Sequence, residues 1–485
     1  FSLLNIYLNS YSEKPLFYKI AAIWGNHEGS LLLFIFLLAA VNLLTLNKVT
    51  NKKVIALCQQ TIMLIVALFS LYLFFTSNPF LLNKELTNNG LGLNPILQDF
   101  ALIIHPPILY LGYIISIITY AFTIALVKEN KFTFANLKTI LSLNKLAFVT
   151  LTLGIMLGSW WAYRELGWGG YWFWDPVENL ALLIWLFSLL SLHSNIAILQ
   201  NKNLLNWFVF SALTTFLIIL LSFFVIRSGI LISVHSFADD PYRGVFLLLI
   251  FLIVTCYTIY ALRNFKHKRR EAKFSLNKSN LIRIQNFLIT SVIIIVSFGV
   301  FFPIFYNVIV KQELFIGPDF FNKSILPILL IILAFMSVVP YRNIRFNLLI
   351  KLVALALASL LIILIIQAKY DWLIALFALI VIVSNINSSL QFKGKFRLSK
   401  SNIAHASFAL IILAISLNNL KKFETEQVIT KDKPLEFLDY SLNFNGFTEG
   451  RASNYLYAKA SFQLKHKNKI IELSPEQRYY LASDI

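Results

Sequence analysis

The chain is poor in cysteine, in acidic residues and in charge of any kind. Among 485 residues there are two cysteines, Cys58 and Cys256, and both lie inside apolar runs. That excludes a disulfide framework, a CxxC redox pair and a zinc cluster. No C-x-x-C-H occurs, so the chain is not itself a c-type cytochrome. Only 13% of residues are charged, 58% are hydrophobic and the mean hydropathy is +0.72, which excludes a soluble globular protein. Asp and Glu number 23 against 42 Lys and Arg, giving a net charge of +19. In a chain this apolar, such an excess reads as membrane topology; no nucleic-acid partner is inferred from it.

Long apolar runs are what the sequence has instead. Runs of about 18 to 25 residues, the length needed to cross a bilayer, fall near 30–47, 54–76, 107–127, 146–163, 177–199, 205–226, 244–262, 284–303, 324–340, 347–366, 372–390 and 402–420. The loops after the odd-numbered runs carry Lys48, Lys52, Lys53, Lys128, Lys131, Lys138, Lys145, Lys202, a basic cluster between Arg263 and Arg283, Arg342, Arg345, Lys351, and Lys393, Lys395, Arg397 and Lys400. The positive-inside rule places those loops in the cytoplasm and the opposite loops outside. The expected architecture is an all-α polytopic integral membrane protein of about twelve transmembrane helices, with a small β-rich extracytoplasmic domain at the C-terminal end. Its expected parts are an outer N-terminal segment at 1–29, a helical core at 30–420, and a periplasmic β-rich domain at 421–485. The β expectation comes from alternation at 439–447, 455–464 and 470–473, with turn signals at Asn445-Gly446 and at 467–469. A short surface helix is expected over 96–104, leading into His105 at the mouth of a span.

One stretch fits neither lipid nor an ordinary loop. Residues 160–179 read W-W-A-Y-R-E-L-G-W-G-G-Y-W-F-W-D-P-V-E-N and include Trp160, Trp161, Trp168, Trp172 and Trp174. They suggest a flat aromatic platform at the membrane surface that holds something planar. Asp175-Pro176-Val177-Glu178 also reads as a helix start, with Asp as N-cap, Pro first and Glu third. Asp175 and Glu178 are therefore at least as well explained as caps as by chemistry.

Depth sorts the seven histidines. His267 falls in the basic loop and His466 in the β-rich domain, both as surface residues. His193 lies about sixteen residues into its span, roughly 24 Å down at 1.5 Å per residue, and His405 reaches a similar depth from the other side. Two neutral imidazoles at matched depth suit opposite faces of an iron porphyrin, although either alone reads equally well as a histidine bonded to a neighbouring helix. His105 and His235 form a second, outer pair flanking the tryptophan stretch. His27 is a third outer histidine, with Glu28 as a candidate partner. Arg164, Arg227 and Arg243 suit haem propionates or lipid phosphates equally.

These motifs resemble a known family. W-G-N-H-E-G-S, N-P-x-L-Q-D at 94–99, H-P-P-I-L-Y-L-G-Y, the tryptophan stretch and S-V-H-S-F-A together are similar to CcmF, the WWD-domain haem lyase subunit of cytochrome c maturation. The resemblance covers nearly the whole chain, including E-T-E-Q-V-I at 424–429. It implies that Trp168, Trp172, Trp174 and Asp175 form the haem platform and that His105 and His235 serve the incoming haem. It also implies that His193 and His405 hold a resident haem b. A haem-loaded periplasmic chaperone of the CcmE type, apocytochrome-presenting subunits of the CcmH/CcmI type, and quinol follow as expected partners. The expected setting is a bacterial inner membrane or a mitochondrial inner membrane. The family has spans before W-G-N-H-E-G-S and one after the β-rich domain, so the resemblance implies a truncated chain. A haem exporter and a quinol-oxidising haem b subunit are the competing readings; the exporter family has about half as many spans, and the second leaves the platform unused.

Overall fold

The computed structural model describes residues 1–46, 51–84, 87–167, 170–200, 204–231, 233, 240–263, 265, 278–341, 346–365, 369–390, 399–431 and 433–481. Two short helices, α1 (Leu4–Asn9) and α2 (Leu16–Ala21), precede the long ones. These are α3 (His27–Leu46), α4 (Lys52–Thr76), α5 (Phe100–Glu129), α6 (Phe134–Glu165), α7 (Pro176–Leu199), α8 (Leu205–Arg227) and α9 (Pro241–Leu262). Then follow α10 (Lys278–Val310), α11 (Pro318–Val338), α12 (Phe346–Ile365), α13 (Asp371–Leu390) and α14 (Lys400–Lys421).

Each expected span coincides with one of α3 to α14. Among the described residues, 11 of these helices are long and apolar enough to cross a membrane, and α12 contributes the apolar stretch Ile350–Leu361. A helix satisfies its own backbone in lipid, so apolar sequence alone specifies it there. Polar residues mark the ends. Asn51 accepts from the amides of Lys53 and Val54, Thr133 from Asn136, and Ser399 from Asn402.

Helix α5 runs through the centre, against α4, α6, α8 and α9. From Gly112 to Val127 every residue of α5 is buried. A second cluster joins α11 and α13 through Leu330, Leu333, Phe377 and Val381, and α10 bridges α7 to α11.

The expected short helix over 96–104 is not a separate element. A single 3-10 turn spans Pro95–Leu97, and α5 begins at Phe100 with Asp99 as its N-cap. It continues unbroken through Pro106 and Pro107. The missing proline N–H groups do not end a helix whose other bonds are intact and whose flank packs closely on α6.

The C-terminal sheet has β1 (Leu435–Phe437), β2 (Tyr440–Arg451), β3 (Tyr455–His466), β4 (Lys469–Leu473) and β5 (Glu476–Tyr480). All pairings are antiparallel, in the order β1-β2-β3-β4, with β5 also on β3. The turn at 467–468 forms as expected, with Lys467 at a positive φ of 52°. Asn445-Gly446 is a correction: it lies inside β2 as a register shift, Gly446 taking φ 143°, so the glycine marks a bulge and not a turn. The sheet touches the start of α5, where Asn454 Nδ2 donates to Gln98 Oε1 at 2.8 Å in a buried contact. Burial pushes the Tyr18 phenol up, with the charges of Asp99, Tyr480 and Glu165 adding to it against Arg478. Helix α2, the start of α5, the end of α6 and β5 thus meet at one place.

Candidate haem site

The tryptophan segment joins α6 to α7 and is anchored at both ends. At the first, Trp161 is buried and donates Nε1–H to Ile96 O at 3.3 Å. Arg164 pairs with the buried Asp99 at 3.0 Å and lies 5.3 Å over the Trp160 ring. Trp160 and Trp161 therefore tie the segment to the start of α5.

At the second end the capping box is complete. Asp175 Oδ1 accepts from Val177 N–H at 2.9 Å, and Glu178 Oε2 accepts from the amides of Asp175 and Phe173 at 3.1 and 2.9 Å. Asp175 Oδ1 also accepts from Ser233 Oγ at 2.8 Å, which ties the loop two residues before His235 to the platform. Asn179 Nδ2 donates to Trp174 O at 2.8 Å. These bonds hold Trp174 at φ 59°, a left-handed backbone that a bulky residue adopts only when its surroundings impose it.

Trp172 and Trp174 do not lie in one plane. Their rings are 6.1 Å apart and 87° to each other. One face of Trp174 is stacked on Phe321 of α11 at 4.7 Å and 7°, and its Nε1–H donates to Asn322 Oδ1 at 3.1 Å. The expected flat shelf is, for these two indoles, a right-angled corner braced from behind. Phe321 and Asn322 carried no local signal, because they lie about 150 positions along the chain. Tyr171 is half-buried beside α13, where burial and then the charge of Asp371 push its phenol up. Trp168 and His235 lie outside the described residues, as does His267.

His105, on α5, donates Nδ1–H to Gly154 O of α6 at 2.7 Å. His193, on α7, donates Nδ1–H to Leu189 O at 3.1 Å. A carbonyl partner fixes the tautomer, so Nε2 is the basic nitrogen in both rings. The charge of His405, on α14, reaches His193, on α7. Two imidazoles, one already oriented by a backbone carbonyl, are donors of the type that would hold a haem iron. Among the described residues no cluster of three or more His, Cys, Asp or Glu is arranged to hold a bare metal ion.

The remaining candidates have protein partners. Glu28 pairs with Arg243 at 2.8 Å, and Arg243 also meets Asp240 at 3.4 Å. Arg227 is buried, bonded to Ser30 Oγ at 3.0 Å and set over the Phe223 ring. His466 stacks on Tyr440 in the sheet.

Comparison with known proteins shows the family and the fold. The sequence model of the family described as "Cytochrome C assembly protein" matches residues 24–232, which take in the platform, His105 and His193. The chain is 32% identical to the cytochrome c-type biogenesis protein ccl1 of Rhodobacter capsulatus, over 99% of this chain and 77% of that one. It is 31% identical to the cytochrome c-type biogenesis protein CcmF of Haemophilus influenzae, over 100% of this chain and 79% of that one. A solved structure described as the cytochrome c heme lyase CcmF superposes with a TM-score of 0.74 at 22% identity, covering 97% of this chain and 75% of that chain. The last likeness establishes the fold, and the full-length identities establish the kinship: this polytopic membrane protein belongs to the CcmF family of cytochrome c-type biogenesis proteins.

Proposed function

We propose that the chain is a haem lyase component that positions haem for covalent attachment to apocytochrome c. The observation that carries this reading is that His193, within electrostatic reach of His405, lies on the helix whose start carries the aromatic corner. Asp175 caps α7 and His193 lies 18 residues further on, roughly 27 Å along the axis. One helix therefore spans both sites.

The substrate haem rests against Trp172 and Trp174, with Trp168 completing the platform and Asp175 holding its edge through the cap. His105 Nε2 and His235 serve as axial ligands to its iron. Two apocytochrome thiols of a CxxCH segment add across the haem vinyl groups: each S–H proton goes to one vinyl carbon and the sulfur bonds the other, with no net redox change. No protein thiol is needed, in keeping with Cys58 and Cys256 lying within membrane helices. The chain's contribution is orientation and exclusion of water. His193 and His405 would hold a resident haem b, which would supply a one-electron carrier from quinol to keep the substrate iron reduced.

The platform and the sheet face the periplasm or intermembrane space of an inner membrane, as one outer segment (1–29), one helical core (30–420) and one β-rich domain (421–485). There they meet a haem chaperone of the CcmE type and subunits of the CcmH/CcmI type that present the apocytochrome. The test is assembly in cells lacking the native lyase. Restored holocytochrome c by this chain with its partners supports the reading, and haem release without attachment would replace it with export.

A further inference from the structure

Three glycines lie on the seam between α5 and α6. A Cβ on Gly112 would come 2.7 Å from Leu151 Cδ2, and one on Gly154 would come 2.9 Å from Leu109 Cα. Those two let the helices approach, as small residues do in membranes. Gly158 differs. Its Cβ would meet the ring of His105, 2.7 Å from Cε1, 3.1 Å from Nδ1 and 3.2 Å from Nε2.

Gly154 and Gly158 are one helical turn apart, and the Gly154 carbonyl between them takes the His105 Nδ1–H. The imidazole is thus held at Nδ1 by a backbone carbonyl and laid against a position with no side chain. The first restraint sets the tautomer and the second sets where the ring can lie. Neither depends on a mobile side chain, and both come from a helix continuous with the platform, whose Trp160 follows Gly158 by two residues.

The geometry points to Gly158 as a positioning residue for His105, its missing side chain and the Gly154 carbonyl together presenting Nε2 to the iron of the arriving haem. This rests on the proposed role of His105 as a ligand to that iron. Partners that orient a metal-bound histidine typically carry about 10–100-fold in affinity or activity, and a methyl group at Gly158 acts on that orientation directly.

The experiment uses the full chain with its resident haem, titrated with added haem and followed by absorption and resonance Raman spectra. The variants are Gly158→Ala, Gly158→Ser, Gly112→Ala and His105→Ala, with the resident-haem signal reporting folding in each. The expected result is a roughly 10–100-fold loss of added-haem affinity in Gly158→Ala. The low-spin signature of the added haem should fall with it, and fall further in Gly158→Ser. A double Gly158→Ala/His105→Ala variant should be no worse than His105→Ala. Gly112→Ala, which crowds the same seam away from the ring, should keep the low-spin signature. If Gly158→Ala binds like the parent while His105→Ala does not, or if Gly112→Ala gives the same spectral loss, the positioning role is overturned. If His105→Ala binds added haem unchanged, the ligand role of His105 falls and the proposal with it.

Discussion

His105 and His405 occupy opposite settings. His105 sits on α5, whose membrane span is 50% buried, wedged against glycines of α6 and bonded to a backbone carbonyl. His405 rides on α14, whose span is 11% buried and whose main neighbour among the described residues is α13. Where the protein surrounds a side chain, packing fixes it before any ligand arrives. Where a helix has few contacts, whatever bridges it to the rest supplies much of its stability, by the linkage that favours any state a ligand binds. In this account the outer site is built by the polypeptide, and the inner one is completed by the haem between His193 and His405.

The largest expected effect tests that contrast. Depleting haem should raise hydrogen exchange in α14 strongly and leave α5 around His105 unchanged; equal change in both helices would erase the distinction. Next is the double variant Trp172→Ala/Trp174→Ala. It should abolish cytochrome c assembly yet leave the resident haem in place, since the corner and the inner pair are about 27 Å apart along α7. Normal assembly in that variant would sink the platform.

A smaller effect is expected for Phe321→Ala, which removes the stacked support of Trp174. Such ring pairs are worth about 0.5–1.5 kcal/mol, so assembly should drop several-fold without being lost, and Trp174 fluorescence should shift toward a wetter environment. Asn322→Leu, which removes only the indole acceptor, should do less.

The smallest effect concerns pH. Lys14, between α1 and α2, is 3% exposed and donates to Asn9 O at 3.1 Å; burial lowers its pKa from 10.5 to about 8. Between those values the unfolded chain binds a proton that the folded one has released. Stability of the N-terminal segment should therefore rise with pH from about 8 to 10.5, by up to about 1.4 kcal/mol per unit. Lys14→Met should flatten that slope. An unchanged slope in the variant would assign it to another group.

Much of this layout was legible in the sequence because membrane helices are specified by local composition. The twelve spans and the Asp175–Glu178 cap follow from counting along the chain. Two local readings missed because neighbours decided them. Pro106-Pro107 looks like a helix boundary, yet α5 runs through it where α6 packs alongside. Asn445-Gly446 looks like a turn, yet long pairing of β2 with β3 absorbs it as a bulge. Phe321 and Asn322 were out of reach, since nothing local links α11 to a tryptophan so far away. Gly154 and Gly158 were within reach: a small-x-x-x-small pair in an apolar helix is a readable sign of close packing, and only the identity of what packs there, the His105 ring, needed the structure.

The central claim is that two haem sites with separate ligands share this chain. The absorption spectrum of protein purified from haem-replete cells tests it most directly. The account predicts a low-spin, bis-histidine b-type spectrum that vanishes in His193→Ala and in His405→Ala and persists in His105→Ala. Parent protein without haem, or a spectrum unchanged in both inner variants, would contradict it.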